Sequence, residues 1–278
     1  MKRLIDSIGL TLVGAFVGVV LIIVVAPFLY SLVMSFDPRL YLGTFPPPGI
    51  SGQWYAKFFS DERYVRALWT SLFIALTSSV AACILGTLAA LGLLRIHREA
   101  PRAALDGMFA SPKFVPNVVI GFALLMAFSI VGIGAGFTAI TCAHLLIVLP
   151  LVVRSVSAAL DGIKPSLIDA AMSLGATRAQ AIFDVVIPLA RTGIAVGFVF
   201  AMAVSLDEVA ASAFLTTPSV VTLPVVLISD MKANFDLTIA AAAVMMMVLV
   251  LVVVAVLDIT VGIERLLGRG SYGDSSNR

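Results

Sequence analysis

Asp169-Ala170-Ala171-Met172-Ser173-Leu174-Gly175, continued as far as Val185-Val186-Ile187-Pro188, is the most informative stretch of this 278-residue chain. It is a polar, two-part helical segment between two very apolar stretches. A membrane span has no use for such a segment, so we expect it to meet a partner in the cytosol.

The first part of this stretch predicts a short helix that ends at a glycine. Pro165 suits a first helical turn, where its missing N–H costs nothing. Leu167, Ala171 and Leu174 recur at helical spacing and form one apolar face. Gly175 is able to end that helix in the left-handed conformation.

The second part predicts another helix. Thr177 and Gln180 have the spacing of a capping box that opens it, and Pro188 is expected to interrupt it. The small side chains of Ala170 and Ala171 leave room for the close approach of a partner surface. The sequence therefore predicts a helix–glycine–helix unit with a docking face.

The composition identifies an integral membrane protein. The chain is 60% hydrophobic and only 12% charged, with a mean hydropathy of +1.10, whereas soluble domains carry about 25% charged residues. About 20 apolar residues cross a bilayer. Charged residues are absent from 7–36, 67–94, 114–153 and 237–257.

These runs predict six transmembrane helices. The run 114–153 is long enough for two spans, with a turn at Gly132, Gly134 and Gly136. A further span covers 192 to about 215 and is interrupted by Asp207 and Glu208. The first run follows two basic residues, as a signal peptide would, but its length favours a retained helix over the alternative of a cleaved signal.

The distribution of Lys and Arg predicts the orientation, because cytosolic loops carry the excess of positive charge. With a cytosolic N-terminus, the eighteen Lys and Arg residues divide into twelve inside, five outside, and Lys113 near a helix start. The five outside are Arg39, Lys57, Arg63, Arg66 and Lys232. Both termini and the segment 169–188 are then cytosolic.

The segment 169–188 resembles the "EAA" signature of bacterial ABC-importer permeases, which reads acid-Ala-Ala, three residues, Gly, nine residues, Ile-x-Leu-Pro. Gly175 and Pro188 match in register, while Asp169, Val185 and Ile187 replace the usual Glu, Ile and Leu. The resemblance implies an all-α, six-span permease of the type I ABC-importer architecture, in which the coupling segment (residues 164–188) docks into an ATPase. It implies that the contacts come from Asp169, Ala170, Ala171, Leu174, Gly175 and Pro188. The alternative is an ordinary amphipathic loop helix.

Two further stretches resemble the spermidine/putrescine permeases of that family. One is Trp54-Tyr55-Ala56-Lys57-Phe58-Phe59 before the second span, for which a plain interfacial aromatic belt is the alternative. The other is Ser205-Leu206-Asp207-Glu208, followed by Thr222-Leu223-Pro224. The resemblance implies a polyamine or related organic cation as solute, although related permeases carry opines, phosphonates or ferric ions.

The acidic pair, Asp207 and Glu208, lies about 24 Å beyond Arg191 along a helix, inside the fifth predicted span. A charge at that depth costs several kcal/mol unless it faces a cavity or a partner. One interpretation is a cation-facing site on the translocation pathway. The other is an interhelical pair that holds two permease subunits together.

The remaining motifs point away from chemistry on this chain. There is no phosphate-binding loop, no Cys/His cluster and no Gly-x-Ser-x-Gly. His144, alone in an apolar helix, is interpreted as a packing or interhelical hydrogen-bonding residue. We therefore expect no catalytic residue, metal or cofactor here, and ATP with Mg²⁺ on a separate ATPase.

The resemblance implies further partners: a second homologous permease, two ATPase subunits, and a periplasmic or extracellular solute-binding protein. We expect a bacterial inner-membrane, multi-pass protein in the lipid bilayer, without nucleic acid. Residues 1–268 are predicted as one permease domain and 269–278 as a disordered tail. The rival functions are an ion-gradient-driven secondary transporter, an intramembrane enzyme and an export permease.

Overall fold

The structure, a computed structural model, describes residues 2–41, 43–96, 98–233 and 236–261. The predicted tail at 269–278 and both chain termini lie outside these residues. The described part is built from helices, in this order: α1 Lys2–Met34, α2 Gln53–Ser60, α3 Glu62–Leu94, α4 Glu99–Ala110, α5 Asn117–Ile130, α6 Phe137–Asp161, α7 Ser166–Ser173, α8 Arg178–Ala181, α9 Ile187–Asp207, α10 Ser212–Leu215, α11 Leu223–Ala233 and α12 Thr238–Val261.

The predicted all-helical membrane architecture is confirmed. Among the described residues, five helices are long and apolar enough to cross a membrane. They cover Leu12–Met34, Glu62–Leu94, Phe137–Asp161, Arg178–Asp207 and Thr238–Val256. A sixth span is reached when the bent pair Glu99–Phe114 and Asn117–Ile130 is counted as one.

Pro112 and Pro116 are expected to bend or delay the third span, and the structure shows both effects. A 3₁₀ turn, Ser111–Phe114, precedes α5, and the chain bends by 97° between the two. Val115 is extended because it precedes Pro116. The 14 residues of α5 reach about 21 Å, which is less than the hydrocarbon thickness of about 30 Å.

The fifth predicted span, 192–215, begins too late, but its predicted interruption at Asp207 and Glu208 is confirmed, since the helix ends there. The helix begins at Arg178 and ends at Asp207. Pro188 lies in the first turn of α9 and does not interrupt it. A π-helical turn, Ile182–Val186, comes directly before, and this wider turn moves the carbonyl of residue 184 away from the proline ring, with which it would collide in an α-helix.

The chain forms two compact units. The first contains residues up to Val65 together with Leu227–Val248. Its core includes Met34, Trp54 and Leu237. The indole Nε1 of Trp54 donates to the main-chain oxygen of Asp37 at 2.7 Å, so this aromatic residue is a core residue and not part of an interfacial belt.

Ion pairs join distant parts of the chain within the first unit. Arg63 makes two parallel bonds to Asp230, at 2.9 and 3.0 Å. Lys57 Nζ lies 2.6 Å from Asp236 Oδ2. Burial raises the pKa of the Asp236 carboxyl, but the hydrogen bonds from Lys57 and Thr238 outweigh it, and the pKa lies below its ordinary value.

The second unit contains Arg66–Val226 together with the described residues 249–261. The packing of α6 against α9 dominates its core, through residues such as Val152, Val156 and Ala190. A Cβ on Gly193 would lie 2.5 Å from Ala159 Cβ. Gly193 therefore lets these two helices approach more closely than any side chain would allow.

Candidate functional site

The coupling segment begins with the helix–glycine–helix unit predicted from the sequence. Helix α7 ends in a Schellman motif, in which the Ala176 N–H donates to Ala171 O at 3.1 Å and the Gly175 N–H to Met172 O at 3.0 Å. Gly175 has φ +94°, a conformation that costs other residues energy because of their Cβ. The predicted glycine stop is confirmed.

The second half of the coupling segment opens with the predicted capping box. Gln180 N–H donates to Thr177 Oγ1 at 3.3 Å, and Thr177 N–H donates to Gln180 Oε1 at 2.7 Å. Helix α8 then continues through the π turn into α9. One continuous helix thus connects the start of α8 to Asp207.

The outer face of the coupling segment is apolar and exposed. Leu174 is 90% exposed and Phe183 66%, and Leu167 and Met172 are also exposed. The inner face is anchored, because Val186 is buried in the second unit's core. Large exposed apolar side chains on a polar segment, such as Leu174, are typical of a surface that a protein partner covers.

The residues predicted to contact an ATPase are distributed over this surface. Asp169, Ala170, Leu174 and Gly175 are exposed. Ala171 is half-buried, consistent with a small residue at a point of close approach. Pro188 is exposed but lies a turn further on, at the start of α9. Their role in coupling stays a prediction.

A cleft of about 240 Å³ adjoins α8. Its walls are mostly apolar, and Arg95 supplies its charged group. Phe183 lines it as well as the exposed surface. The lining residues are Leu88, Leu91, Gly92, Arg95, Ala179, Ile182 and Phe183.

The acidic pair lies where α9 stops, and its two side chains have opposite environments. Asp207 is the last residue of α9, and Glu208 is its C-terminal cap in an extended conformation. Residues 208–211, the helix break, connect α9 to α10. Asp207 therefore belongs to the helix, whereas Glu208 belongs to the break.

Glu208 is buried, with 6% exposure, and its carboxylate is satisfied within the chain. Oε1 accepts the Ala211 N–H at 2.9 Å, and Oε2 accepts a short hydrogen bond from Asn117 Nδ2. Asn117 is the first residue of α5, so Glu208 also lies near the positive end of that helix dipole. These contacts offset the cost of a buried charge.

Asp207 is exposed. Within the part of the chain that the structure describes, its carboxylate has no hydrogen-bond or ion-pair partner. A carboxylate at the end of an apolar helix is costly unless water or a positive group meets it. Of the two acids, Asp207 is the one available to an external cation.

Sequence reasoning missed Asn117, which was part of an apolar run. The interpretation of His144 as an interhelical hydrogen-bonding residue is confirmed. In the structure His144 contacts Ser205 and Ser212 at 2.6 and 2.8 Å. The only signal in the sequence was the seven-residue spacing of these two serines, which places them on one helical face.

Comparisons with known proteins give consistent results. The family model described as "Binding-protein-dependent transport system inner membrane component" matches residues 82–263. The spermidine/putrescine transport system permease protein PotC of Escherichia coli K12 is 29% identical over 227 residues, which cover 82% of this chain and 85% of PotC. The putrescine transport system permease protein PotI of the same organism is 30% identical over 222 residues, 78% of each chain.

Solved structures share the fold. A bacterial ABC transporter that imports the acidic polysaccharide alginate superposes with a TM-score of 0.71 at 18% identity, over 93% of this chain and 98% of that one. The MetNI methionine ABC transporter, in an inward-facing conformation, gives a TM-score of 0.60 at 20% identity, over 71% of this chain and 94% of that one.

Proposed function

Because the chain belongs to the family of binding-protein-dependent transport system inner membrane components, we propose that it carries a polyamine or a related organic cation through the membrane. The family defines the general role. The chain is an inner-membrane permease subunit of an ABC importer and not an enzyme, and ATP is hydrolysed on a separate subunit.

The observation that carries the choice of solute is the exposed carboxylate of Asp207, which has no partner among the described residues. A cation passing Asp207 would supply the missing compensation. Glu208 adds a second negative charge next to it, although its side chain is turned inward. The names of relatives that are 29–30% identical, spermidine/putrescine and putrescine permeases, favour the same class of solute.

The coupling segment supports a docking role toward an ATPase. Its exposed Leu174 and Phe183 present an apolar surface, while Gly175 and the capping box make its shape rigid. We propose that two ATPase subunits bind this chain and a second, homologous permease, and that a solute-binding protein delivers the solute from outside. ATP-driven closure of the ATPases would move α8, and α9 would carry that movement to the acidic pair.

The same proposal requires that the coupling segment lie on the cytosolic side of the membrane. The excess of Lys and Arg on one side places both termini and the coupling segment in the cytosol. Lys57 and Arg63, paired with Asp236 and Asp230, are then on the outer side, where a solute-binding protein docks.

Uptake by the reconstituted transporter tests the proposed solute. The chain, its sister permease, the ATPases and the solute-binding protein are placed in proteoliposomes with ATP on the ATPase side. We expect accumulation of radiolabelled putrescine or spermidine that requires both ATP and the binding protein. ATP-dependent uptake of an opine, a phosphonate or ferric ion, with neither polyamine transported, would contradict the proposed solute.

A further inference from the structure

A continuous set of buried hydrogen bonds runs through the second unit, between α3 and the helix break. Ser78 Oγ lies 3.1 Å from Ser205 Oγ, which lies 2.6 Å from His144 Nδ1. His144 Nε2 lies 2.8 Å from Ser212 Oγ. All four side chains are nearly inaccessible, with exposures of 0–3%.

The direction of these bonds follows from the number of hydrogens. Ser212 Oγ donates its single hydrogen to the main-chain oxygen of Glu208 at 3.1 Å, so it accepts from His144. Neutral His144 therefore carries its hydrogen on Nε2, and its Nδ1 accepts from Ser205. Ser205 in turn accepts from Ser78, whose single hydrogen is shared with the main-chain oxygen of Ala75 at 3.2 Å.

His144 thus contacts both sides of the helix break. Ser205 lies in the last turn of α9, and Ser212 is the first residue of α10. The imidazole connects these two ends across residues 208–211, and through Ser212 it holds the main-chain oxygen of Glu208.

The break is also packed from the side of α5. A Cβ on Gly121 would lie 2.7 Å from both Cα and O of Ala211. Glycine is therefore required for α5 to approach the break closely enough for Asn117 to reach Glu208. The hydrogen bonds of His144 hold the two ends of the helix break, and Gly121 packs against the last residue of the break from the side of α5.

We infer that His144 is a positioning residue for the acidic pair, because it maintains the break that turns Glu208 inward and leaves Asp207 exposed. The inference rests on the proposed function of that pair in solute passage. His144 does not contact the solute. It acts through Ser212 and the backbone of Glu208, and its loss lets the break adopt other conformations.

The first test does not depend on the solute. Hydrogen–deuterium exchange of the peptide spanning 207–216 is measured in the purified, lipid-reconstituted transporter. We expect His144→Phe and the milder Ser212→Ala to accelerate exchange in this peptide about fivefold, the effect of losing a hydrogen bond of typical strength. The matched control is Ser79→Ala, because Ser79 is equally buried but its hydroxyl makes no hydrogen bond.

The second test measures the consequence for transport. With putrescine as the probe, both variants should raise the apparent KM for uptake about fivefold, with a smaller change in Vmax. His144→Gln, which retains an amide N–H near the Nε2 position, should restore part of the affinity. A residue that only fills space would lower Vmax through loss of assembled protein and leave KM unchanged.

Unchanged exchange in both variants would overturn the inference, and so would accelerated exchange with an unchanged KM. If the parent transporter carries no polyamine, the proposed solute fails. The exchange measurement would still decide whether His144 maintains the break.

Discussion

At the scale of single residues, two adjacent carboxylates have different environments because the helix ends between them. Asp207 belongs to α9 and is exposed, whereas Glu208 is extended and accepts hydrogen bonds from Asn117 and Ala211. Glu208 therefore bonds within this chain and is not free to meet a solute or a second subunit. Asp207 is exposed, so both the pathway interpretation and the subunit-contact interpretation now concern Asp207 alone.

Asp207→Asn tests the availability of that carboxylate. The substitution keeps the shape and removes the charge, so we expect the apparent KM for putrescine uptake to rise at least about tenfold, the value of a charge-assisted hydrogen bond. Assembly with the sister permease should be unchanged in a pull-down.

Asp106→Asn, at another exposed acid on α4, is the control and should transport normally. Loss of subunit association in Asp207→Asn, ahead of any loss of uptake, would favour the alternative of a subunit-holding acid.

At the scale of elements, the coupling segment has a turn that local hydrogen bonds define and a continuous helical connection to α9. The Schellman motif and the capping box define the turn between α7 and α8. The π turn then joins α8 to α9 without a break.

Two substitutions in the coupling segment should uncouple transport while the protein still inserts. Gly175→Pro imposes φ near −65° where the chain has +94°. Ala171→Arg places a large charged side chain at a half-buried position. We expect uptake to fall more than tenfold in both, with normal amounts of protein in the membrane. ATPase pull-down and uptake are measured together, and normal results in both variants would contradict the coupling role.

The packing of α6 against α9 depends on one glycine. In Gly193→Ala the new Cβ would collide with Ala159 Cβ at 2.5 Å and with Ser155 O at 2.7 Å. Overpacking of this kind costs about 1–3 kcal/mol, so the midpoint of thermal unfolding should fall by several degrees. Gly14→Ala, where nothing lies within 4 Å, is the matched control, and equal midpoints in the two variants would contradict this packing.

At the scale of the whole molecule, the orientation in the membrane follows from charge. The twelve-to-five division of Lys and Arg predicts that residue 57 is outside and residue 178 inside. Single cysteines at these positions, with Cys83 and Cys142 replaced, are treated in intact cells with a membrane-impermeant maleimide.

Labelling at position 57 without labelling at position 178 is the expected result. The reverse pattern would overturn the orientation. The side chains at both positions are exposed, so a failure of the maleimide to react will not be due to burial of the cysteine within the chain.

Much of the coupling segment could be predicted from its residues, because its determinants are local. The left-handed glycine at 175 and the capping box of Thr177 and Gln180 involve residues within five positions of each other. The prediction that Pro188 interrupts the helix is wrong, because a π turn comes directly before it and no residue type specifies such a turn.

The sequence by itself determined the membrane class, the approximate spans and the local geometry of the coupling segment, since hydropathy, charge and capping depend on neighbouring residues. Only the tertiary structure decided the separate environments of the two acids and the hydrogen-bond partners of His144. These depend on contacts between distant positions, such as Asn117 with Glu208 and His144 with Ser205 and Ser212. In an apolar span, a polar side chain takes whichever partner the folded chain brings to it, and that partner cannot be read from the residues beside it.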